Sequence, residues 1–310
     1  MIECVLFGTG GMMPMPYRFL VSLAVRVEGQ ALLFDCGEGT QVPIKMSKIG
    51  IKPIQNIFIS HIHADHVTGL PGLLMMLNQA EPEGTVRVYG PRGIAAYVQA
   101  QEATLRFERD YPLEVIELEE DHGVAMDHEK FQVIYHVLRH RTRCLGYSVV
   151  EKPRPGRFKI GAAKELGVPE GPSWGKLQRG ESVTLPDGKV VGPKDVLGPP
   201  RPGRKITYVT DTIPCPGVYK LADGADLLFI EGMFEHELAD EAKMKGHQTA
   251  VQAAKQAKKS GAARAVLIHY SPRYRNEDIK RLVEQAQSVY EAVEAGRDGA
   301  RYELKVKDKL

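Results

Sequence analysis

The chain has 310 residues, 43% hydrophobic and 26% charged, with 41 Lys and Arg against 39 Asp and Glu for a net charge of +2. These values are ordinary for a soluble globular protein with room for one large domain or two modest ones. No apolar stretch approaches the roughly 18 residues of a membrane span. The cysteines Cys4, Cys36, Cys144 and Cys215 form no C-x-x-C pair, so buried thiols in a reducing, cytoplasmic compartment are expected.

The run Ile2 to Phe7 reads as a first strand and lacks the basic segment of a secretory signal. Further strands are expected over 20–27 and 31–35, separated by a Gly/Met/Pro loop at 8–18 and a hairpin turn at Glu28-Gly29-Gln30. The apolar run Ile57-Phe58-Ile59-Ser60 reads as a strand end, followed by a helix over 66–78. Strands at 86–90 and 131–137 flank a helix near 92–107, and 144–150 forms another strand.

The texture then changes. Residues 151–205 hold nine Pro and ten Gly among 55 positions, a composition that predicts a flexible insert with no long elements and little core. The same stretch has twelve Lys and Arg against six Asp and Glu, a local +6 that leaves −4 for the rest of the chain. A basic segment on an acidic remainder points to a polyanionic partner.

Beyond it, Lys205 to Thr210 reads as a strand ending at Asp211, Leu227 to Ile230 as a strand ending at Glu231, and Ala265 to Ile268 as a strand ending at His269. Helices are expected at 247–260, which His247 would open, and at 276–294. This alternation predicts a layered α/β sandwich in which the two halves repeat a similar ββαβα plan.

The chemistry is concentrated in His61-Ile62-His63-Ala64-Asp65-His66, four metal-competent side chains in six residues at a strand end. Imidazole and carboxylate are the usual ligands of catalytic zinc. The run supplies more donors than one open site needs, which suggests two ions and metal-assisted hydrolysis. His140, Asp211 and His269 also stand at strand ends, where a sheet fixes their backbones.

H-x-H-x-D-H with later His, Asp and His resembles the metallo-β-lactamase pattern. More narrowly, the chain resembles the ribonuclease Z family, endonucleases that trim the 3′ trailer from precursor tRNA. The likeness is carried by Phe34-Asp35-Cys36-Gly37-Glu38-Gly39-Thr40-Gln41, by His140 to Tyr147, by Thr210-Asp211-Thr212, by Glu231 with Gly246-His247-Gln248-Thr249-Ala250, and by His269 to Tyr274. The resemblance implies a single metallo-β-lactamase αββα sandwich over 1–310 with a tRNA-binding arm inserted at 151–205. It implies one zinc held by His61, His63, His140 and Asp211 and a second by Asp65, His66, Asp211 and His269, with manganese or cobalt as possible substitutes. A bridging Asp211 suits two ions about 3.5–4 Å apart, which would ionise a bound water to the hydroxide nucleophile. Asp65 would also orient or deprotonate that water, Asp35 would orient a ligand histidine, and Glu231 would keep His247 protonated as the donor to the 3′-oxygen.

Leu166 to Leu177, with Gly171 and Pro172, is similar to the glycine-proline motif of the family's arm. Lys152, Arg154, Arg157, Lys159, Lys164, Lys176 and Arg179 would there position an RNA duplex through its phosphates. Trp174 reads as a small-core anchor or a surface contact. The resemblance also implies a homodimer acting on precursor tRNA. In two places the chain departs from the family pattern. Pro14-Met15-Pro16-Tyr17-Arg18-Phe19 stands where many bacterial members carry P-x-K-x-R-N, a loop tied to cut position and refusal of CCA ends, and Val209-Thr210-Asp211 replaces Ser-Gly-Asp. The competing reading is a small-molecule phosphodiesterase or arylsulfatase-like hydrolase of the same fold, which would have no need of the basic insert. A binding module on a decayed scaffold would have lost ligands, and a flavo-di-iron member would carry carboxylates in place of histidines. A thiol-dependent hydrolase would leave the Glu231 and His247 motifs unexplained.

Overall fold

The computed structural model describes residues 2–306. The chain forms two compact units, one running to Val150 and resuming over Lys205–Lys305, the other Glu151–Arg204.

The larger unit contains two seven-stranded mixed sheets. In the first, Arg301–Leu304, Ile2–Gly8, Ser22–Val27 and Gln30–Phe34 pair antiparallel, and Ile54–Phe58, Val86–Gly90 and Leu113–Glu117 then extend the sheet in parallel. In the second, His122–Asp127 pairs antiparallel with Phe131–Arg139, and Arg143–Glu151 with Lys205–Val209. Leu227–Glu231, Ala265–Ile268 and Val293–Ala295 continue it in parallel. Each sheet thus passes from antiparallel strands to three parallel pairs, the repeated plan expected of the two halves.

Period-two alternation explains the layering. In the first strand Cys4 and Leu6 face a core shared by both sheets, while Val5 and Phe7 face outward to Leu70, Leu73 and Leu77 of helix Leu70–Ala80. In Leu227–Glu231, Phe229 points inward, and Leu228 and Ile230 outward to helices Pro216–Ala222, Ala250–Lys259 and Ile279–Gln287. Aromatic rings from both sheets interlock at the centre. Phe58 stacks on Phe34 and Tyr89 at 5.1 and 4.7 Å and meets Tyr147 of the opposite sheet edge-on at 5.5 Å. The result is the expected αββα sandwich, with the ends of the parallel strands left to loops.

The turn at Glu28 and Gly29 has positive φ at both residues (48° and 82°), as a tight hairpin between twisted strands requires. Other expectations need correction. The helix foreseen over 66–78 is two, Ala64–Val67 and Leu70–Ala80, interrupted where the Gly69 amide turns to the Cys36 carbonyl at 2.9 Å. The helix foreseen at 276–294 spans only Ile279–Gln287, and Val293–Ala295 becomes an edge strand. The helix foreseen from His247 starts at Ala250, because Thr249 caps it. The Thr249 hydroxyl accepts from the Gln252 amide and the Gln252 side chain accepts from the Thr249 amide.

Glu151–Arg204 is not the coreless segment its composition suggested. Helices Ile160–Glu165, Pro172–Gln178 and Pro193–Val196 and a Val183–Thr184/Val190–Val191 hairpin bury Ala163, Val168, Leu177, Leu185, Val191 and Val196. Proline opens two of these helices, where its missing N–H has no helical partner to lose. Trp174 is a core anchor: its ring lies 5.1 Å from Phe158, and its indole N–H donates to the Val168 carbonyl at 3.1 Å. At the neck, buried Glu151 accepts from Arg204 Nε at 2.9 Å and Nη2 at 2.7 Å.

The four cysteines are buried free thiols, and no helix among the described residues is long and apolar enough to cross a membrane.

Candidate metal centre

The strand-end donors converge. His61, His63, Asp65 and His66 follow Ile54–Phe58, and His140, Asp211, Glu231 and His269 close four strands of the second sheet. Asp211 lies between two groups of imidazoles. Its Oδ2 is 3.5 Å from His61 Nε2 and 3.7 Å from His140 Nε2, while its Oδ1 is 3.3 Å from His66 Nε2 and 3.2 Å from His269 Nε2. His63 Nδ1 joins the first group, 3.0 Å from His61 Nε2 and 3.3 Å from His140 Nε2. Asp65 Oδ2 joins the second, 3.3 Å from His269 Nε2 and 3.5 Å from His66 Nε2, and accepts the Met12 amide at 2.6 Å.

The outward hydrogen bonds assign the tautomers. Asp35 Oδ2 accepts from His66 Nδ1 at 2.8 Å, and the Gly246 carbonyl accepts from His140 Nδ1 at 2.8 Å. The Ser60 hydroxyl donates to Asp35 Oδ2 at 2.8 Å, so it accepts from His61 Nδ1 at 3.0 Å. Each of these rings therefore carries its proton outward and turns an Nε2 lone pair inward. Converging lone pairs and two carboxylates, largely out of water, are mutually repulsive without a cation. The set fits a pair of divalent ions that accept nitrogen and oxygen.

The site also favours ionised carboxylates. Although burial favours the neutral acid, His269, His66 and His61 hold Asp211 well below the usual carboxylate range. Burial also opposes ionisation of Asp65, yet His66 and His269 lower it in the same way. Asp35 and His269 sit at φ 56° and 59°, a left-handed conformation uncommon for residues with side chains and concentrated at functional sites.

Beside the second group, His247 Nδ1 meets Glu231 Oε2 at 3.0 Å, and Glu231 Oε1 accepts the Thr212 amide next to Asp211. Burial lowers the His247 pKa, but the Glu231 carboxylate outweighs it and raises the imidazole above its ordinary value. His247 does not cap the helix that follows, which Thr249 does; its amide donates to the Ala242 carbonyl at 2.8 Å and closes the end of helix Ala239–Lys245.

Sequence reasoning missed Ser60, the Tyr208 hydroxyl on Asp35, the Gly246 carbonyl and the Met12 amide. Only Ser60, adjacent to the histidine run, left any signal.

Comparison with known proteins gives the family. A family model described as the anti-Pycsar protein Apyc1 matches residues 2–106, and one described as the beta-lactamase superfamily domain matches 169–270. The chain is 43% identical over 307 residues to ribonuclease Z of Treponema denticola, covering 99% of each, and 41% identical over 297 residues to ribonuclease Z of Treponema pallidum, covering 96% of each. The chain belongs to the ribonuclease Z family. The human tRNase Z short form superposes with a TM-score of 0.72 at 27% identity, over 98% of this chain and 99% of that one. As a member of this family, the chain is an endoribonuclease among the metal-dependent hydrolases of the metallo-β-lactamase fold.

Proposed function

We propose that the chain removes the 3′ trailer from precursor tRNA by hydrolysing one phosphodiester, leaving a 3′-hydroxyl on the tRNA and a 5′-phosphate on the trailer. The observation that carries this reading is the division of six donor residues about Asp211 with the Glu231–His247 pair beside them, in a chain resembling ribonuclease Z over its full length. His61, His63, His140 and Asp211 would hold one zinc, and Asp65, His66, Asp211 and His269 the other. Bound there, the ions supply Lewis acidity that ionises water near neutral pH and offsets charge growing on phosphorus. Asp65 orients the attacking water. His247, kept protonated by Glu231, gives its proton to the departing 3′-oxygen.

The basic insert supports an RNA substrate over a small one. Arg157, Lys159, Lys164, Lys176 and Arg179 are exposed, with Lys164 paired to Glu170 at 3.0 Å and Arg179 to Glu181 at 3.2 Å, and Gly171 and Pro172 start one exposed turn. Lys152 is half-buried, and Arg154 is drawn toward Glu151 at 4.0 Å, a position that favours a structural role. Val42 and Met46, one turn apart on helix Gln41–Ser47, and Met75 on helix Leu70–Ala80 are apolar side chains 44–70% exposed, which supports a homodimer. We place the enzyme in the cytoplasm with its tRNA substrate.

Incubating the purified protein with precursor tRNAs, with and without encoded CCA, and sequencing the 3′ ends tests activity and cut position together. Cleavage should stop with a chelator and return with zinc. Turnover of small phosphodiesters with no cleavage of any precursor would favour the small-molecule reading instead.

A further inference from the structure

The lip of the site beside His247 is cationic. Helix Ala239–Lys245 carries Asp240 and Glu241 in its first turn and Lys243 and Lys245 in its last. It ends at Gly246, whose left-handed φ of 80° aims its carbonyl at His140 Nδ1, 2.8 Å away. Arg141 reaches the same helix end, donating from Nη2 to the Met244 carbonyl at 2.9 Å. Arg273 lies 5.0 Å from the Phe234 ring and donates to both oxygens of Glu241, which also accepts from Lys245 at 2.8 Å. Arg141, Lys243, Lys245 and Arg273 therefore crowd the chain that leads into His247, with Glu241 paired to two of them. Arg141 and Lys243 are exposed, and neither has a carboxylate within ion-pair distance among the described residues.

The helix dipole accounts for part of this charge, since cations suit a helix C-terminus. That benefit falls off within the last turn and is small at an exposed end, so it does not explain two arginines arriving from separate loops. A polyanion drawn across this edge does.

We propose that Arg141, Lys243, Lys245 and Arg273 form the track that holds backbone phosphates of the strand just 5′ of the cut, the acceptor strand of the tRNA. The inference rests on the tRNA reading above. The proton donor stands on the side of the departing 3′-oxygen, and that oxygen belongs to the tRNA. The strand retained by the tRNA must therefore pass the His247 side, where these cations are.

The test compares wild type with Arg141→Gln/Lys243→Gln on precursor tRNA and on bis(p-nitrophenyl) phosphate, at several salt concentrations. Glutamine at 141 can still donate to the Met244 carbonyl. The expected result is a rise of about tenfold in KM for precursor and a log–log salt slope shallower by about 1.4–1.8, since each phosphate contact contributes about 0.7–0.9 to it. Hydrolysis of the small ester should change less than threefold. An unchanged precursor KM and salt slope would overturn the track. Equal losses on both substrates would overturn it too, because the effect would then run through Gly246 and His140. Failure of the wild type on every precursor, with the small ester still cleaved, would remove the tRNA reading and the track with it.

Discussion

The Tyr208 hydroxyl donates to Asp35 Oδ2 at 2.7 Å, joining the second sheet to the first behind the metal centre. Asp35 also accepts the Ser60 amide at 2.7 Å, the Ser60 hydroxyl and His66 Nδ1. With four donors this buried carboxylate cannot turn, so His66 cannot turn either. Removing such a support weakens metal binding about 10–100-fold. Asp35→Asn should lose metal affinity in that range. Tyr208→Phe, which deletes one donor, should lose several-fold. Competition with a chromophoric chelator reads both, and unchanged affinity in Asp35→Asn would refute the support role.

Glu231 should set the alkaline limit of turnover through His247. Its carboxylate raises the imidazole pKa, so the protonated donor persists to higher pH than an ordinary histidine would. In Glu231→Gln that support is gone, and the fall of kcat with rising pH should begin at lower pH. His247→Ala should retain bound metal and lose about 10²–10⁴-fold in kcat, the usual range for a general acid. A wild-type rate in His247→Ala would exclude it as donor, and an unmoved alkaline limb in Glu231→Gln would exclude the coupling.

Gly11 lies against a ligand. A Cβ placed there would come 2.6 Å from His269 Nε2 and Cε1, closer than atoms can approach. Gly11→Ala should displace the His269 ring and lower both metal occupancy and turnover, at least tenfold in kcat/KM. Metal analysis and steady-state kinetics on one preparation check this. A fully loaded, fully active variant would mean that the loop shifts instead of the ring.

The smaller unit should depend on Glu151 in a pH-dependent way. Burial favours the neutral acid, but Arg204 lowers the Glu151 pKa below its ordinary value of 4.5. A depressed carboxylate adds stability above the unfolded-state pKa and loses it as pH falls through the folded-state one. Glu151→Gln should therefore cost about 3 kcal/mol at pH 7, as breaking a buried pair does. The gap to wild type should begin to narrow near that ordinary value and close only as pH falls through the lower folded-state one. Hydrogen exchange in residues 151–204 measures it. A gap independent of pH would show that shape, not charge, holds this neck.

Deleting residues 152–203 should weaken binding of precursor tRNA while sparing hydrolysis of bis(p-nitrophenyl) phosphate. Kinetics on the two substrates read this directly. Equal losses would contradict a division of labour between arm and metal centre.

Most of the sandwich was legible because its strands are strongly apolar runs that end at polar residues. The strands that escaped notice, Leu113–Glu117, His122–Asp127, Val293–Ala295 and Arg301–Leu304, lie at or near sheet edges. The first three give no clear apolar alternation, and that of Arg301–Leu304 lasts only four residues. The smaller unit misled for a related reason. Pro and Gly forbid long elements, but short helices opened by proline still enclose six buried side chains.

The sequence by itself determined which donors exist and where they attach. His61, His63, Asp65, His66, His140, Asp211 and His269 each follow a strand, and residue type alone marks them as candidate ligands. Only the tertiary structure decided which atom of each ring faces inward. An imidazole has two nitrogens, and nothing local distinguishes them. The choice falls to hydrogen-bond partners far along the chain, Asp35 for His66 and the Gly246 carbonyl for His140. Asp35 reaches His66 because their strands pair side by side in the first sheet, and Gly246 reaches His140 because both follow strands of the second.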